Sequence, residues 1–277
     1  MKEAPAARAA RLLALHHAPE LLILPNVWDP LGARMLESLG YPAVATASAA
    51  VAYSLGYRNG EEMPFEEMLG AIRRVARCVD VPVTADIERG YSDAADGVAE
   101  SVARVMEAGA AGVNIEDSLA EGGLRDVDGQ CERIAAVRRT AKAAGVPLVI
   151  NARVDVFISP PGQSAEARLE ETIVRARRYL AAGADCIYPI TLNDLDLLKK
   201  LREAIEAPIN VYASPGTPPI PELEAAGIAR LSVGPGLLKV SLSAMKRVTE
   251  GLRSGASYEE LTNVISSDEI EGYLKKR

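Results

Sequence analysis

The 277-residue chain has only two histidines, His16 and His17, side by side ahead of the first apolar segment. No His-dependent triad and no imidazole zinc site can be assembled from them, and both read as surface residues. Cysteine is equally scarce: Cys78, Cys131 and Cys186 are odd in number and far apart, the pattern of free thiols in a reducing compartment. Cys131 lies in a helical pattern with no histidine to activate it, and so reads as structural. Positive charge is in deficit, with 31 basic against 38 acidic residues and a net charge of −7, which argues against nucleic acid as a partner. No run approaches the roughly 20 apolar residues of a membrane span, and Met1-Lys2-Glu3-Ala4-Pro5 begins no signal-peptide core. The expectation is a cytoplasmic protein with neither a membrane nor a nucleic-acid partner. At 48% hydrophobic and 25% charged residues, disordered and fibrous classes are excluded.

Aromatics make up only 4% of the chain, while alanine and valine are abundant, a composition suited to short buried strands alternating with alanine-rich helices. Near-continuous apolar runs at 21–27, 43–48, 83–87, 112–115, 148–152, 186–190, 209–213 and 230–233 read as parallel strands buried on both faces. Helical patterns fill 64–79, 94–108, 131–144, 164–182, 192–205 and 218–226. The second, fourth, sixth and eighth strands follow Gly40, Gly109, Gly183 and Gly227, each placed as a left-handed helix cap. The third, fifth and seventh follow Pro82, Pro147 and Pro208, tolerated at a strand's first residue. Eight such units predict an α/β fold, a (β/α)8 TIM-type barrel spanning 1–277 as a single domain. An open doubly wound sheet is the weaker rival, because no glycine-rich dinucleotide turn follows the first strand. Residues 240–277 extend beyond the barrel, with capping boxes at Ser257/Glu260 and Ser266/Glu269. Those helices either pack on their own barrel or on another subunit.

In a parallel barrel the chemistry gathers where strands end at the C-terminal face. Asp86 and Glu88 are two apart, which on a strand puts both on one face, and Glu116 ends the neighbouring strand. Three converging carboxylates raise one another's pKa unless a cation sits among them. An all-oxygen set selects a hard ion, Mg²⁺ or possible substitute Mn²⁺. Arg153, one strand further, carries a fork suited to a substrate carboxylate. The bland alternative is that the acids pair with Arg89, Arg125 and Arg153. The polar, glycine-rich segment 119–129 suits either a mobile lid or a passive loop, and Gly234-Pro235-Gly236 is a weak phosphate loop and more plainly a turn.

Together, Pro25-Asn26-x-x-Asp29, Asp86-x-Glu88-x-Gly90-Tyr91, Glu116-Asp117 and Asn151-Ala152-Arg153-x-Asp155 resemble the isocitrate lyase/phosphoenolpyruvate mutase superfamily, over nearly the whole barrel from about Leu24 to Gly236. The resemblance implies Mg²⁺ near Asp86, Glu88 and Glu116, partly through water. It implies a small 2-oxo or 2-hydroxy dicarboxylic acid bound with Thr46, Ala47, Ser48, Arg153 and Asn210, and a homodimer or homotetramer exchanging C-terminal helices. Arg153, Glu116 and Tyr53 are the expected catalytic residues, with Tyr188 and Arg125 as further proton carriers. Three departures narrow the activity. The lid Ala120-Glu121-Gly122-Gly123-Leu124-Arg125 lacks both the lyases' cysteine and the mutases' Lys-Thr-Asn-Ser. Asn59 stands where many members have aspartate, and Ile190 where methylisocitrate lyases have glutamate. The leading expectation is a Mg²⁺-dependent carbon–carbon lyase working through an enolate, either isocitrate lyase-like or oxaloacetate decarboxylase-like. Phosphonopyruvate P–C chemistry and a weakly active 2-oxo acid binder are the alternatives.

Overall fold

Pro25 has no N–H to give a ladder and splits the first stave of the barrel into β1 (Leu22–Leu24) and β2 (Asn26–Val27). The computed structural model describes residues 3–158, 162–255, 258–262 and 264–275. Helix α1 (Pro5–His16) precedes this stave, and α2 (Pro30–Ser38), β3 (Val44–Thr46), α3 (Ser48–Ser54), α4 (Phe65–Cys78), β4 (Val83–Asp86) and α5 (Ala95–Glu107) follow it. Next come β5 (Gly112–Glu116), α6 (Val127–Ala143), β6 (Val149–Val154), α7 (Ala165–Ala182), β7 (Cys186–Pro189) and α8 (Leu195–Ala204). The chain then runs through β8 (Asn210–Tyr212), α9 (Ile220–Ala225), β9 (Arg230–Ser232), α10 (Gly236–Arg253) and α11 (Ser267–Leu274).

All pairings between these strands are parallel, in the orders β1-β9-β8 and β2-β3-β4-β5-β6-β7. A bridge between Ile187 and Ile209 joins β7 to β8, and the two halves of the first stave join the sheets on the other side. The expected ring of eight parallel staves is therefore present.

The large aliphatics of the staves, such as Val113, Ile115, Ile150, Ile187, Val211 and Leu231, face the helices and share one core with Met68, Ile72, Val102, Ile134 and Leu201. The inner positions differ from the apolar runs read in the sequence. Thr84, Asn114, Asn151, Asn210, Arg230 and Ser232 are all buried there. The near-unbroken aliphatic residues on the outer positions mask this alternation in the linear sequence. Residues at helix-facing and interior positions alternate along each strand, as the pleat requires.

Two further expectations are corrected. Helices α1 and α3 were not anticipated, whereas α2 ends just before Gly40 as expected; α1 packs Ala9 and Leu12 against Leu22, Leu24, Ala45 and Val149 at the base of the barrel. His16 is buried rather than on the surface, its ring bonded to the Leu12 carbonyl at 2.8 Å. At the other terminus Ser266 caps α11 as expected, its Oγ accepting from Glu269 N, while Ser257 lies outside the described residues. Arg34 of α2 donates to the carbonyls of Tyr273 and Lys275, so the end of α11 is held on its own chain. Among the described residues no helix is long and apolar enough to cross a membrane.

The four strand-leading glycines all have positive φ, from +71° at Gly227 to +115° at Gly183. Their surroundings set different penalties for a side chain. A Cβ on Gly40 meets nothing within 4 Å, whereas one on Gly109 falls 2.9 Å from the Ala76 Cβ. Gly40→Ala should cost about 1 kcal/mol, and Gly109→Ala roughly twice that or more, in urea unfolding. Equal losses would contradict the packing assigned to the α4–α5 contact.

Candidate active site

Strand β4 stops at Asp86, and the chain leaves it through Glu88 (φ +52°), Gly90 and Tyr91. Asp86 and Glu88 are thus not two residues on one strand face. Asp86 is fixed by the neighbouring stave: its N–H donates to Thr46 Oγ1 at 3.1 Å. Its Oδ2 accepts from the Ser48 hydroxyl at 2.7 Å and the Ser48 N–H at 3.1 Å. Glu88 is 3% exposed and accepts from Gly60 N–H at 2.8 Å. Burial, then the charges of Asp86 and Glu116, push its pKa up to about 8.

The β5–β6–β7 register sets Glu116, Arg153 and Tyr188 side by side, one interior layer above Asn114, Asn151 and Cys186. Glu116 Oε1 accepts from Ser118 Oγ at 2.8 Å, and its Oε2 lies 2.5 Å from Arg153 Nη1. Asp155 grips the other edge of the same guanidinium, at 2.6 Å to Nε and 2.9 Å to Nη2. Two of its five N–H groups are thereby bonded to Asp155, and Nη1 is ion-paired with Glu116. Burial opposes the charge on Arg153, but the two carboxylates outweigh it and drive its pKa up. Burial raises Glu116 as well, against the pull of Arg153.

Behind this pair is a tier the sequence reading missed. Asp117 Oδ1 accepts from Asp155 N–H at 2.9 Å, and its Oδ2 accepts from Tyr179 OH at 2.7 Å and Arg175 Nη1 at 3.1 Å. Arg175 also donates to the Arg125 carbonyl at 2.8 Å, and Arg125 N–H donates back to Asp117 O at 2.7 Å. The segment between them turns through a Ser118–Leu124 bridge, and of the stretch 119–129 the last residues, from Val127, already belong to α6. The available signals were Asp117 within the Glu116-Asp117 motif and the four-residue spacing of Arg175 and Tyr179 on one helix face.

At the C-terminal mouth is a cavity of about 230 Å³, lined among others by Asn26, Ser48, Tyr53, Asp86, Arg153, Tyr188 and Ser232. Of the residues expected here, Ala47, Ser48, Tyr53, Asp86 and Arg153 face it. Thr46 instead supports Asp86 from below, and Asn210 lies beneath the wall, its Oδ1 accepting from Ser232 Oγ at 3.1 Å. Glu88 and Glu116 stand outside the lining, close enough for their charges to act on Asp86 and on one another. Asn59 and Ile190, the two positions that depart from the superfamily pattern, both line it. A second cavity of about 240 Å³ opens at the base, beside His16, His17, Arg202 and Glu206, away from the strand ends that carry these groups.

Among the described residues no three His, Cys, Asp or Glu side chains gather closely enough to enclose an ion by themselves. The donor set still fits a hard cation completed by water: all oxygen, with Asp86 at the cavity and a buried, proton-holding Glu88 behind it. In metal-free buffer, Glu88 retains a proton that the unfolded chain has already lost between about pH 4.5 and 8. Its contribution to stability therefore falls as pH rises through that window. Relative to wild type, Glu88→Gln should gain on the order of 2–4 kcal/mol in urea unfolding between about pH 5 and about pH 8.5. A gap that does not change with pH would show that Glu88 ionises normally.

The phosphoenolpyruvate phosphomutase family profile matches residues 12–253. An uncharacterised protein of Mycobacterium tuberculosis is 32% identical over 260 residues, 94% of each chain. The oxaloacetate decarboxylase of Rhodopseudomonas palustris is 27% identical, covering 89% of this chain and 85% of the relative. Among solved structures, a candidate phosphonomutase from Burkholderia cenocepacia is 40% identical with a TM-score of 0.84, over 91% of this chain and all of that one. A phosphonopyruvate hydrolase solved with oxalate and Mg²⁺ shares the fold at 22% identity and a TM-score of 0.82, over 96% of this chain and 94% of that one. The chain belongs to the phosphoenolpyruvate phosphomutase family, within the isocitrate lyase/phosphoenolpyruvate mutase superfamily of barrel lyases and mutases.

Proposed function

We propose that the chain is a divalent-metal-dependent carbon–carbon lyase acting on a small 2-oxo or 2-hydroxy dicarboxylic acid. The observation that carries this reading is that Asp86 and the clamped guanidinium of Arg153 line one cavity together. Asp86, with Glu88 and Glu116 behind it, would hold Mg²⁺ or Mn²⁺, whose chemistry at this position is to polarise a 2-oxo group and stabilise the charge developing on its oxygen. Arg153 binds a substrate carboxylate with N–H groups that Asp155 does not take, and Glu116 and Asp155 keep the guanidinium plane fixed during the reaction. When the C3–C4 bond of a 2-oxo diacid breaks, the C4 carboxyl leaves as CO₂ and the electron pair of the bond passes through C3 into the enolate of the remaining 2-oxo acid. Tyr188 lines the cavity and burial raises its pKa, so its hydroxyl keeps a proton for the enolate carbon. Tyr53 offers a second hydroxyl at the more exposed rim. Ile190 gives that wall no polar group for a third carboxylate, which supports an oxaloacetate-sized diacid over an isocitrate-sized one.

A second reading, P–C bond chemistry on phosphonopyruvate, is favoured by the 40% identity to the candidate phosphonomutase. It is opposed by the absence of the Lys-Thr-Asn-Ser lid.

With Mg²⁺, purified protein should release product from at least one 2-oxo or 2-hydroxy diacid in a panel, and chelation should abolish turnover. Arg153→Lys loses the planar fork and should lower kcat/KM by about a hundredfold or more. Turnover of phosphonopyruvate alone would transfer the assignment to the second reading. Binding without product would make the protein a 2-oxo acid binder.

The homo-oligomer belongs to the same proposal. Val240, Leu242, Met245 and Leu252 on α10 are exposed apolar side chains, which a second copy of the chain would cover. Light scattering should give a dimer or tetramer for wild type and a smaller species for Met245→Lys; a wild-type monomer would remove this part of the reading.

A further inference from the structure

Arg230 is fully buried inside the barrel, and among the described residues it makes no ion pair with a carboxylate. Its only short hydrogen bond runs from Nε to Ser232 Oγ at 3.0 Å. Nη1 lies 3.5 Å from His16 Nε2 and Nη2 lies 3.5 Å from Asn114 Oδ1, so most of the guanidinium faces neutral groups at marginal distance. His16 gives it no counter-charge. Burial first, and then Arg230 itself, lower the imidazole pKa to about 3 and keep it neutral. A buried cation without a paired acid is expensive, and Asp86, whose charge reaches Arg230, forms no ion pair with it.

Its position supplies a purpose. Ser232 and Asn114, two of the side chains that touch the guanidinium, both line the cavity at the strand ends. Arg230 is therefore one side-chain layer beneath the cavity floor, on the opposite side from the mouth where Glu88 and Glu116 stand. Arg153 is the one cationic side chain in the cavity wall among the described residues, and its N–H groups suffice for one carboxylate. In a poorly solvated interior, a fixed charge beneath the floor acts on whatever anion occupies the cavity, and salt does not screen it as it would at the surface.

We infer that Arg230 is a specificity-determining residue that selects doubly charged anions over singly charged ones without touching them. The inference rests on the 2-oxo diacid reading and extends it: Arg153 takes one carboxylate, and the field of Arg230 favours the charge of the other. The same field opposes a cation in the cavity, so removing it must shift anion and metal binding in opposite directions. A purely structural arginine gives no such split, because a damaged site binds both less well.

The test is calorimetry on wild type, Arg230→Met and Arg230→Gln. Mn²⁺ alone is the cation probe, and oxalate and pyruvate, each with saturating Mg²⁺, are the dianion and monoanion probes. Both neutral variants should lose at least about tenfold in oxalate affinity and lose less for pyruvate, while binding Mn²⁺ as tightly as wild type or more tightly. Arg230→Lys, which keeps the charge, should restore most of the oxalate affinity. Unchanged oxalate affinity in the neutral variants, or a parallel loss of oxalate and Mn²⁺, overturns the inference. So does failure of both neutral variants to fold, which would make the charge a requirement of the scaffold. A wild-type protein that binds no oxalate with Mg²⁺ takes down the diacid reading, and this one with it; oxalate binding by wild type with no change in the variants removes the role of Arg230 alone.

Discussion

Arg153 is held on two edges by Glu116 and Asp155, and the geometry of the cavity follows from that grip. A lone guanidinium at the end of a short strand would sample several rotamers and present its donors at many angles. With a carboxylate on each side it has one plane and one place. The arrangement extends outward through Asp117 to Arg175 and Tyr179 on α7, and from Arg175 to the backbone at Arg125. The loop after β5 and the end of β6 are thus hung from one helix. Such supporting shells decide whether reacting groups stay within the tolerance that catalysis demands.

The second constraint is electrostatic. Negative charge crowds the mouth, where burial and mutual repulsion leave Glu88 with a proton well above the usual carboxylate range. Positive charge lies at Arg153 and, lower down, at Arg230. A ligand combining a hard cation with a dianion matches this gradient from mouth to floor, whereas either component alone meets only half of it. That graded interior replaces branched aliphatics in the upper layers, while Leu22, Leu24 and Val149 keep the base apolar.

Much of the barrel was legible because buried parallel strands leave apolar runs, and because glycine and proline mark where strands begin. Asp86, Glu116 and Arg153 were legible for a related reason: they stand at strand ends, where the fold collects polar groups. What escaped has equally physical causes. The short helix α3 has no apolar period long enough to be noticed, and α1 was overlooked ahead of the first strand. The exit of the chain into left-handed backbone at Glu88 is a tertiary property, set by Gly60 N–H and the packing around it, so the alternation rule misplaced that side chain. His16 looked exposed because nothing in its neighbours reveals that α1 turns inward under the barrel. Asn210 was expected in the cavity wall, but the register pairs it with Arg230, one layer too deep to line it. The Asp117–Arg175–Tyr179 group joins residues up to 62 positions apart, and such pairings leave no local trace.

Asn26 has a consequence of a different kind. Its Oδ1 accepts from Val233 N–H and Gly234 N–H, both at 2.8 Å, and its Nδ2 donates to the Thr46 carbonyl at 2.9 Å. This one amide fastens the first stave to the turn after the last, at the seam where the ring closes. Ser232 and Gly234 contribute to the same wall. During synthesis the ribosome must therefore release more than two hundred residues before the seam can be sewn, and a nascent chain lacking β9 carries an open trough in place of a binding chamber. Substrate recognition is in this sense the final act of assembly, withheld until the beginning and the end of the polypeptide have met.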